Sequence, residues 1–468
     1  MRPALRALLT LAPCLALAAT AFAQGDTPVF PGAEGFGTTT PAGRGGQVYV
    51  VSDLGDSGTG TLRDCVEHRA PDPDYEGDAR VCIFHTSGTI TLESNLVVRK
   101  PYLTIAGQTA PSPGIFLQGK TLVVANTHDV LIQHLAMGPG DDDPDNFDAD
   151  SLKVTGQADR VVLDHVSAYF SVDETVSFFP GGLNNPESPK DVTISNSIVA
   201  YALNRSIHRT DDTHSKSLLV GPLSENITVR RCLIAHGNNR NPRVTGALHC
   251  EVLNNLVYNR GVRGLEIEDG RDEYGNPTVH LAVVGNSFWT GQDTGMQPPI
   301  IVAEETTQGS TVYLHDNSED GVLPDDAWDE LTVAMADETL EPRIRVEVES
   351  YDWGSGAEIL VNDAVADAVI ATAGSHSGFR GEIDEELMGQ VGRAVAGEGT
   401  PGNIVNCMNP NGTRRCDNNM GGWPDYPAVV RVLELPPDPD GDAGNGYTNL
   451  EVWLHCHARL VEGLECED

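Results

Sequence analysis

The sequence predicts an all-β fold, a single-stranded right-handed parallel β-helix, followed by a mixed, partly helical C-terminal extension. Three observations carry that expectation. An apolar strand pattern returns seven times: VLIQHLAM (130–137), VVLDHVSA (161–168), VTISNSIV (192–199), ITVRRCLI (227–234), EVLNNLVY (251–258), AVVGNSFW (282–289) and TVYLHDNS (311–318). Aligning the copies puts His134, His165, Asn196, Arg231, Asn254, Asn286 and Asn317 in register, at separations of 31, 31, 35, 23, 32 and 31 residues. A near-fixed period of that size marks a solenoid, in which each unit buries its apolar face on its neighbours. The runs are rich in Val, Ile and Leu, with no long amphipathic helical stretch between them, so each rung is β rather than α.

In chain order, residues 1–23 read as a secretion signal. Arg2 and Arg6 precede a largely apolar run from Leu8 to Phe22, and Ala21-Phe22-Ala23 before Gln24 is the cleavage site. A membrane helix is disfavoured because the run is short and broken at Pro13. A lipoprotein site at Cys14 is weakened by the same proline. No later stretch is apolar enough to span a bilayer, so the expectation is an exported, soluble monomer with no membrane partner. Residues 24–318 are assigned to the β-helix: a Gly-rich entry (30–60), then VCIFHTSGTITLES and LVVRKPYLTIAGQTAPSPGIFL as first strands, then the repeats. Residues 319–468 form the extension, in which LPDDAWDELTVAMADETL and DAVADAVIATAG read as helical. An Asp-rich turn near 437–450 suggests a calcium loop, but it lacks the full EF-hand spacing and reads equally well as a solvated acidic turn.

Eight cysteines follow the signal, and an even count in an oxidising compartment favours disulfides. Spacing does not fix the connectivity. The expectation is that neighbours pair across short loops: Cys65–Cys82, Cys232–Cys250, Cys407–Cys416 and Cys456–Cys466. None of these cysteines has zinc-ligand spacing. With 30 basic and 68 acidic residues, the formal charge of −38 argues against nucleic acid as a partner. An acidic protein binds an acidic polymer only if its site itself holds cations.

A second short strand accompanies each middle repeat: DSLKV (150–154), TVSFF (175–179), KSLLV (216–220), RVTGAL (243–248) and VRGLEI (262–267). Near the starts of the first four lie Asp148 and Asp150, then Asp173 and Glu174, then Lys216, then Arg240 and Arg243. Stacked as one sheet, successive rungs are about 4.8 Å apart. Carboxylates on adjacent rungs can hold one Ca2+ between them, since that ion takes oxygens at about 2.3–2.6 Å. Asp148 and Asp150 point to the same side of an extended chain. An exposed acidic loop is the competing reading, because Asp141, Asp142, Asp143 and Asp145 come just before. Lys216 and Arg240 taken alone are ordinary surface residues. Together with calcium they form a cationic slot for a carboxylated sugar, with a basic group beside a C–H made acidic by the neighbouring carboxylate. Proton abstraction followed by β-elimination fits that slot.

These motifs resemble those of the pectate lyases of polysaccharide lyase family 1. The resemblance begins at Phe30-Pro-Gly-Ala-Glu-Gly-Phe-Gly37 and Gly43-Arg-Gly-Gly46. It continues through Val50-Val-Ser-Asp-Leu-Gly-Asp-Ser-Gly58, Thr61-Leu-Arg63 and Ile105-Ala-Gly-Gln-Thr-Ala-Pro111. It then takes in the Asp-x-Asp at 148–150, Leu163-Asp-His165, Ser171-Val-Asp-Glu174, Lys216 and the Arg-x-Pro-Arg at 240–243, covering about residues 30–290. The resemblance implies a secreted, calcium-dependent enzyme that cleaves polygalacturonate by β-elimination to 4,5-unsaturated oligogalacturonides. It implies Asp148, Asp150 and Asp173 as calcium ligands, Lys216 as the contact for the substrate carboxylate, and Arg240 as the catalytic base. Two positions depart from the family pattern. Ser177 stands where a second-rung ligand is expected, with Glu174 as the compensating carboxylate, and Thr245 stands where many members carry an arginine, which passes substrate binding to Arg243. An arginine base is demanding, because its free pKa exceeds about 12. Burial and neighbouring cations each favour its neutral form.

Two alternative classes remain at this stage. A β-helix glycoside hydrolase, or a lyase acting on another uronan, could use Asp148, Asp150 and Asp173. A non-catalytic carbohydrate-binding solenoid would have no need of a lysine and arginines beside an acidic pair.

Overall fold

The computed structural model describes residues 27–67, 79–183, 186–208, 214–334, 341–346, 354–407 and 423–466. The expected signal segment and Cys416 lie outside them. The described chain winds into a parallel β-helix whose coils visit three sheets in turn. Sheet one runs from Gln47–Val51 and Arg80–Phe84 through His128–Gln133, Asp159–Asp164 and Lys190–Ser195 to Thr311–His315. Sheet three includes Leu135–Gly138, Ser167–Ala168 and Ile198–Ala200. Sheet two includes Leu122–Ala125, Leu152–Thr155, Glu174–Phe179, Lys216–Val220, Arg243–Thr245 and Leu265–Glu268. Every described ladder between named strands is parallel, and strand neighbours are one coil apart, as the repeat period requires.

The interior is a column of aliphatic side chains stacked on their equivalents one rung away. Leu152, Val176 and Leu218 pair in register on sheet two, and Val130, Val161, Val192 and Ile227 do so on sheet one, all fully buried. Burying a side chain of this size stabilises the fold by about 1.5–3 kcal/mol.

The corner between sheets one and three explains the repeating polar position. His134, His165, Asn196, Arg231 and Asn254 all have positive φ, from 46° to 56°, in the left-handed conformation that turns the chain out of sheet one. The register departs from the sequence alignment at its C-terminal end. Leu253 pairs with Val284 and Val284 with His315, so Asn286 and Asn317 align with Asn255, not Asn254. These three form a buried amide ladder: Asn255 Nδ2 donates to Asn286 Oδ1 at 2.9 Å, and Asn286 Nδ2 to Asn317 Oδ1 at 3.0 Å. Two adjacent asparagines at 254–255 made the one-residue shift invisible in the sequence.

The same ladder corrects one expected disulfide. Cys232 precedes Asn255 in that column, and its backbone N–H donates to Asn255 Oδ1 at 2.9 Å. Cys250 pairs with Ile227, five residues before Cys232, and Cys232 lies beyond the corner at Arg231, so the two cysteines occupy different parts of their coils. Both are buried free thiols. Cys65–Cys82 and Cys456–Cys466 are bonded as expected, and Cys407 is disulfide-bonded as well.

Beyond residue 318 the strand Thr332–Ala334 still pairs with Ile300–Val302 of sheet two, so the stretch expected to be helical there contains a rung of the solenoid. Among the described residues of that stretch, the helical part is the short turn Ala327–Glu330. The helices Asn362–Thr372 and Glu382–Val395 lay Val365, Val369, Leu387 and Val391 on sheet three, against Ile198, Leu233 and Leu256. The C-terminal helix, Asn449–Val461, starts at a Thr448–Glu451 capping box and packs Leu450 and Leu454 on Val81 and Ile83 of sheet one. Val29 and Ala42 cover Leu131 and Val162 of the same sheet. The Asp-rich turn before the C-terminal helix is closed by its own hydrogen bonds, with Asn449 Nδ2 donating to the Asp438 carbonyl at 2.9 Å. Among the described residues it gathers no metal-capable group of carboxylates. No described helix is long and apolar enough to cross a membrane.

Candidate active site

The apolar lids described above lie on sheets one and three, whereas sheet two turns charged side chains outward. Leu152 and Val154 point in, so Lys153 points out, and the register then stacks Lys153, Ser177, Leu219, Arg243 and Glu266 on consecutive rungs. Glu174 pairs with Lys216 at the leading edge of the same sheet, and Lys216 bridges to Asn239, which places Arg240 on the next coil. Most of the residues singled out in the sequence therefore converge. Arg240, Arg243, Lys216, Asp173 and Glu174 line a groove, together with Lys153, Phe179, Glu268 and Tyr274.

Asp150, Asp173 and Glu174 form the acidic end, with one oxygen from each lying within 4.8 Å of the others. Asp150 is buried; its Oδ2 accepts from Ser177 Oγ at 2.5 Å and faces Lys153 Nζ at 3.3 Å. Burial pushes its carboxyl up to about 6; Lys153 opposes this and the Asp173 charge adds to it. Burial also works against Asp173, but a 2.7 Å hydrogen bond with His214 Nε2 and the charge of Lys216, 3.5 Å away, hold its carboxyl well below the usual range. Asp148 is placed differently: it is exposed and lies with Lys120, Asn146 and Asp150 around an adjoining depression rather than within the three-carboxylate group.

At the basic end, Arg240 is paired with Glu174 and Arg243 with Glu268. The backbone of Arg240 is fixed on both sides. Its φ is 60°, its N–H donates to Glu266 Oε1 at 2.9 Å, and the next residue, Asn241, is buried with its amide donating to the carbonyls of Gly237 and Arg263. Burial, reinforced by the Arg243 charge, lowers the Arg240 guanidinium to about 10, against the pull of Asp173, Glu266 and Glu268.

Sequence reasoning missed Lys153, His214, Glu266, Glu268 and Tyr274. Glu266 and Glu268 carried a signal, since LEIE alternates apolar and acidic residues as an outward-charged strand does. His214 and Tyr274 come from loops, where no period announces a neighbour.

Among the described residues, sheet two therefore carries carboxylates, an ammonium and guanidiniums along one groove, a set of charges suited to contact with a charged ligand. Comparison with known proteins narrows that reading. The "Probable pectate lyase C" of Aspergillus flavus is 32% identical over 438 residues, 91% of this chain and 93% of the relative. That of Neosartorya fischeri is 30% identical over 461 residues, 94% and 97% of the two chains. The chain belongs to the pectate lyase family and is a polysaccharide lyase. No protein-family profile matches it. Among solved structures, the major cedar-pollen allergen jun a 1 aligns with a TM-score of 0.49 at 16% identity, over 73% of this chain and 92% of that one. A Bacillus pectate lyase in complex with trigalacturonate aligns at 0.44 and 13% identity, over 73% and 98%.

Proposed function

We propose that the protein is a secreted, calcium-dependent pectate lyase that cleaves α-1,4-linked polygalacturonate by β-elimination in the groove of sheet two. The observation that carries this reading is the order of charges at that groove: three carboxylates within 4.8 Å at one end, then Lys216, then a largely enclosed arginine lowered to about 10. The acidic end suits a hard cation. Two oxygens on one calcium lie up to about 5 Å apart, and Asp150 is pushed toward its protonated form because its buried charge is incompletely balanced. Asp150, Asp173 and Glu174 would hold the ion. Bound there, calcium would neutralise a uronate carboxylate and acidify the neighbouring C–H.

The chain's own residues account for the remaining steps. Lys216 holds the carboxylate of the reacting uronate, and Arg243 binds a second acidic group along the polymer. A Glu174 carboxylate engaged by a cation no longer neutralises Arg240, whose guanidinium is then available to the sugar. Arg240 takes the C5 proton; the electron pair forms the C4–C5 double bond, and the glycosidic oxygen leaves C4. Burial and the Arg243 charge make the neutral guanidine accessible at alkaline pH, and the anchored backbone aims it. Phe179 and Tyr274, edge to face at 5.9 Å, give the groove an apolar wall for a sugar ring. The disulfides Cys65–Cys82 and Cys456–Cys466 suit an oxidising, extracellular setting.

The test is to mix purified protein with polygalacturonate and follow ultraviolet absorbance of unsaturated product, with calcium and with a chelator. Calcium-dependent absorbance is expected. Chain shortening without absorbance would instead assign a hydrolase.

A further inference from the structure

Opposite the groove, at the corner where sheet one gives way to sheet three, lies a second cluster that the lyase reading does not use. His134 and His165 occupy the same corner on consecutive coils, and their rings stack with centroids 4.8 Å apart and planes 10° apart. Both are buried, at 0% and 7% exposure. Each Nδ1 has a defined partner: the Ser375 carbonyl at 2.7 Å for His134, and Asp164 Oδ2 at 2.9 Å for His165. Neither Nε2 makes a hydrogen bond. One oxygen of Glu462 lies 3.7 Å from the His134 Nε2 and 3.9 Å from the His165 Nε2.

Histidines that ligate metals characteristically give their other ring N–H to a carboxylate or a backbone carbonyl, which fixes the tautomer and presents the free nitrogen. Here both arrangements occur side by side. Glu462 caps the C-terminal end of helix Asn449–Val461, where the helix dipole already disfavours a negative charge. Nearby Arg380 is occupied, its guanidinium tied to the carbonyls of Ile370 and Ala373. Glu462 is partly exposed, at 22%, and burial still raises its carboxyl, with His165 and Arg459 pulling the other way.

We propose that His134, His165 and Glu462 form a structural site for a divalent transition metal of the zinc class, which pins the C-terminal helix to the solenoid. Zinc takes nitrogen at about 2.0–2.1 Å and carboxylate oxygen at about 2.0–2.2 Å, so tetrahedral ligands lie roughly 3.4 Å apart. The carboxylate closes by less than about 1 Å to meet that geometry, and the two rings tilt toward each other from their stacked separation. The cavity under the helix, lined by Asp164, His165, Asn196 and Glu462, gives the ion and a water ligand a way in. Imidazole with carboxylate selects zinc over calcium, which takes six or more oxygens. The assignment is independent of the lyase reading.

The test is a zinc titration of the chelator-treated full chain without calcium, read by calorimetry, elemental analysis and thermal melting. About one zinc per chain is expected, with a higher Tm. Glu462→Gln and the double variant His134→Asn, His165→Asn should each weaken binding at least about tenfold and abolish the Tm rise. Asparagine already occupies this corner at Asn196 and Asn254, so the double variant keeps a backbone-compatible residue; Glu462→Gln, at a helix end, decides the matter if the double variant does not fold. Asp173→Asn should bind zinc as wild type does, which separates this site from the other histidine-containing group, Asp173, His208 and His214. Wild type retaining less than about a tenth of an equivalent, unchanged affinity in Glu462→Gln, or loss of binding in Asp173→Asn would each overturn the assignment.

Discussion

Sheets one and two are built from the same rungs and differ in what their outer faces carry. Sheet one turns Val81, Ile83, Leu131 and Val162 outward, and each is covered by the C-terminal helix or the N-terminal segment. Sheet two turns out Lys153, Ser177, Arg243 and Glu266, and a groove lies over this charged stretch. An apolar outer face requires a lid, and a charged one cannot accept an apolar lid without losing hydration that pairwise ion contacts only partly replace. Among the described residues, coverage and charge therefore divide the molecule into apolar faces under lids and one charged, grooved face, where the proposed substrate site lies.

Substitutions that act on sheet two and spare the covered sheets sharpen this division. The largest effect is expected from Asp150→Ala, which removes the buried carboxylate joining Ser177, Lys153 and the two other acids. Calcium-dependent turnover should be lost while the melting temperature holds; undiminished calcium affinity by calorimetry would remove Asp150 from the ligand set. Lys216→Ala deletes a charge-assisted contact of about 1.5–3 kcal/mol, so the reacting uronate should bind roughly tenfold or more weakly. Wild-type kinetics in that variant would return Lys216 to the solvated surface. Lys153→Met is expected to tighten calcium binding by a smaller factor, because the ammonium 3.3 Å from Asp150 competes for the same carboxylate. Calorimetry on that variant at alkaline pH checks the sign.

A change under the sheet-three lid should leave catalysis alone and alter stability. Asp384 of helix Glu382–Val395 is fully buried against Tyr169 and Ser167, and burial pushes its carboxyl up to about 7. The folded state keeps that proton between about pH 4 and 7, where the unfolded chain has lost it, so Asp384 removes stability as pH rises through that window. Asp384→Asn should gain on wild type progressively from pH 4 to 7, read as a difference in denaturation midpoints. A difference independent of pH would show that the carboxylate is not the titrating group.

The parts of this design that repeat were legible in the sequence; the parts that close through loops were not. Val/Ile/Leu runs at a fixed period set the rungs, and charged residues at the starts of successive short strands pointed to Asp173, Glu174, Lys216, Arg240 and Arg243, which line one groove, and to Asp150 beside them. Asp148 shared their pattern, but the turn through Pro144–Asn146 leaves it on the exposed side. Cys232 and Cys250 looked like a short-loop pair because sequence distance is a poor measure of space in a coil, where Cys250 lies beside Ile227 and Cys232 lies beyond the corner at Arg231. His214 and Glu462 became visible only through the fold, because each reaches its partners from a segment that no period ties to them.

The central claim, that sheet two bears a base aimed by its backbone, is tested most directly by the turnover of Arg240→Lys on saturating polygalacturonate with calcium. Lysine keeps the positive charge but loses the planar fork, and a displacement of about 1 Å can cost on the order of 100-fold. The account predicts a fall in kcat of at least about that size, with calcium affinity and KM largely retained. A variant keeping more than about a tenth of wild-type turnover would contradict it and make Arg243 the next candidate for the base.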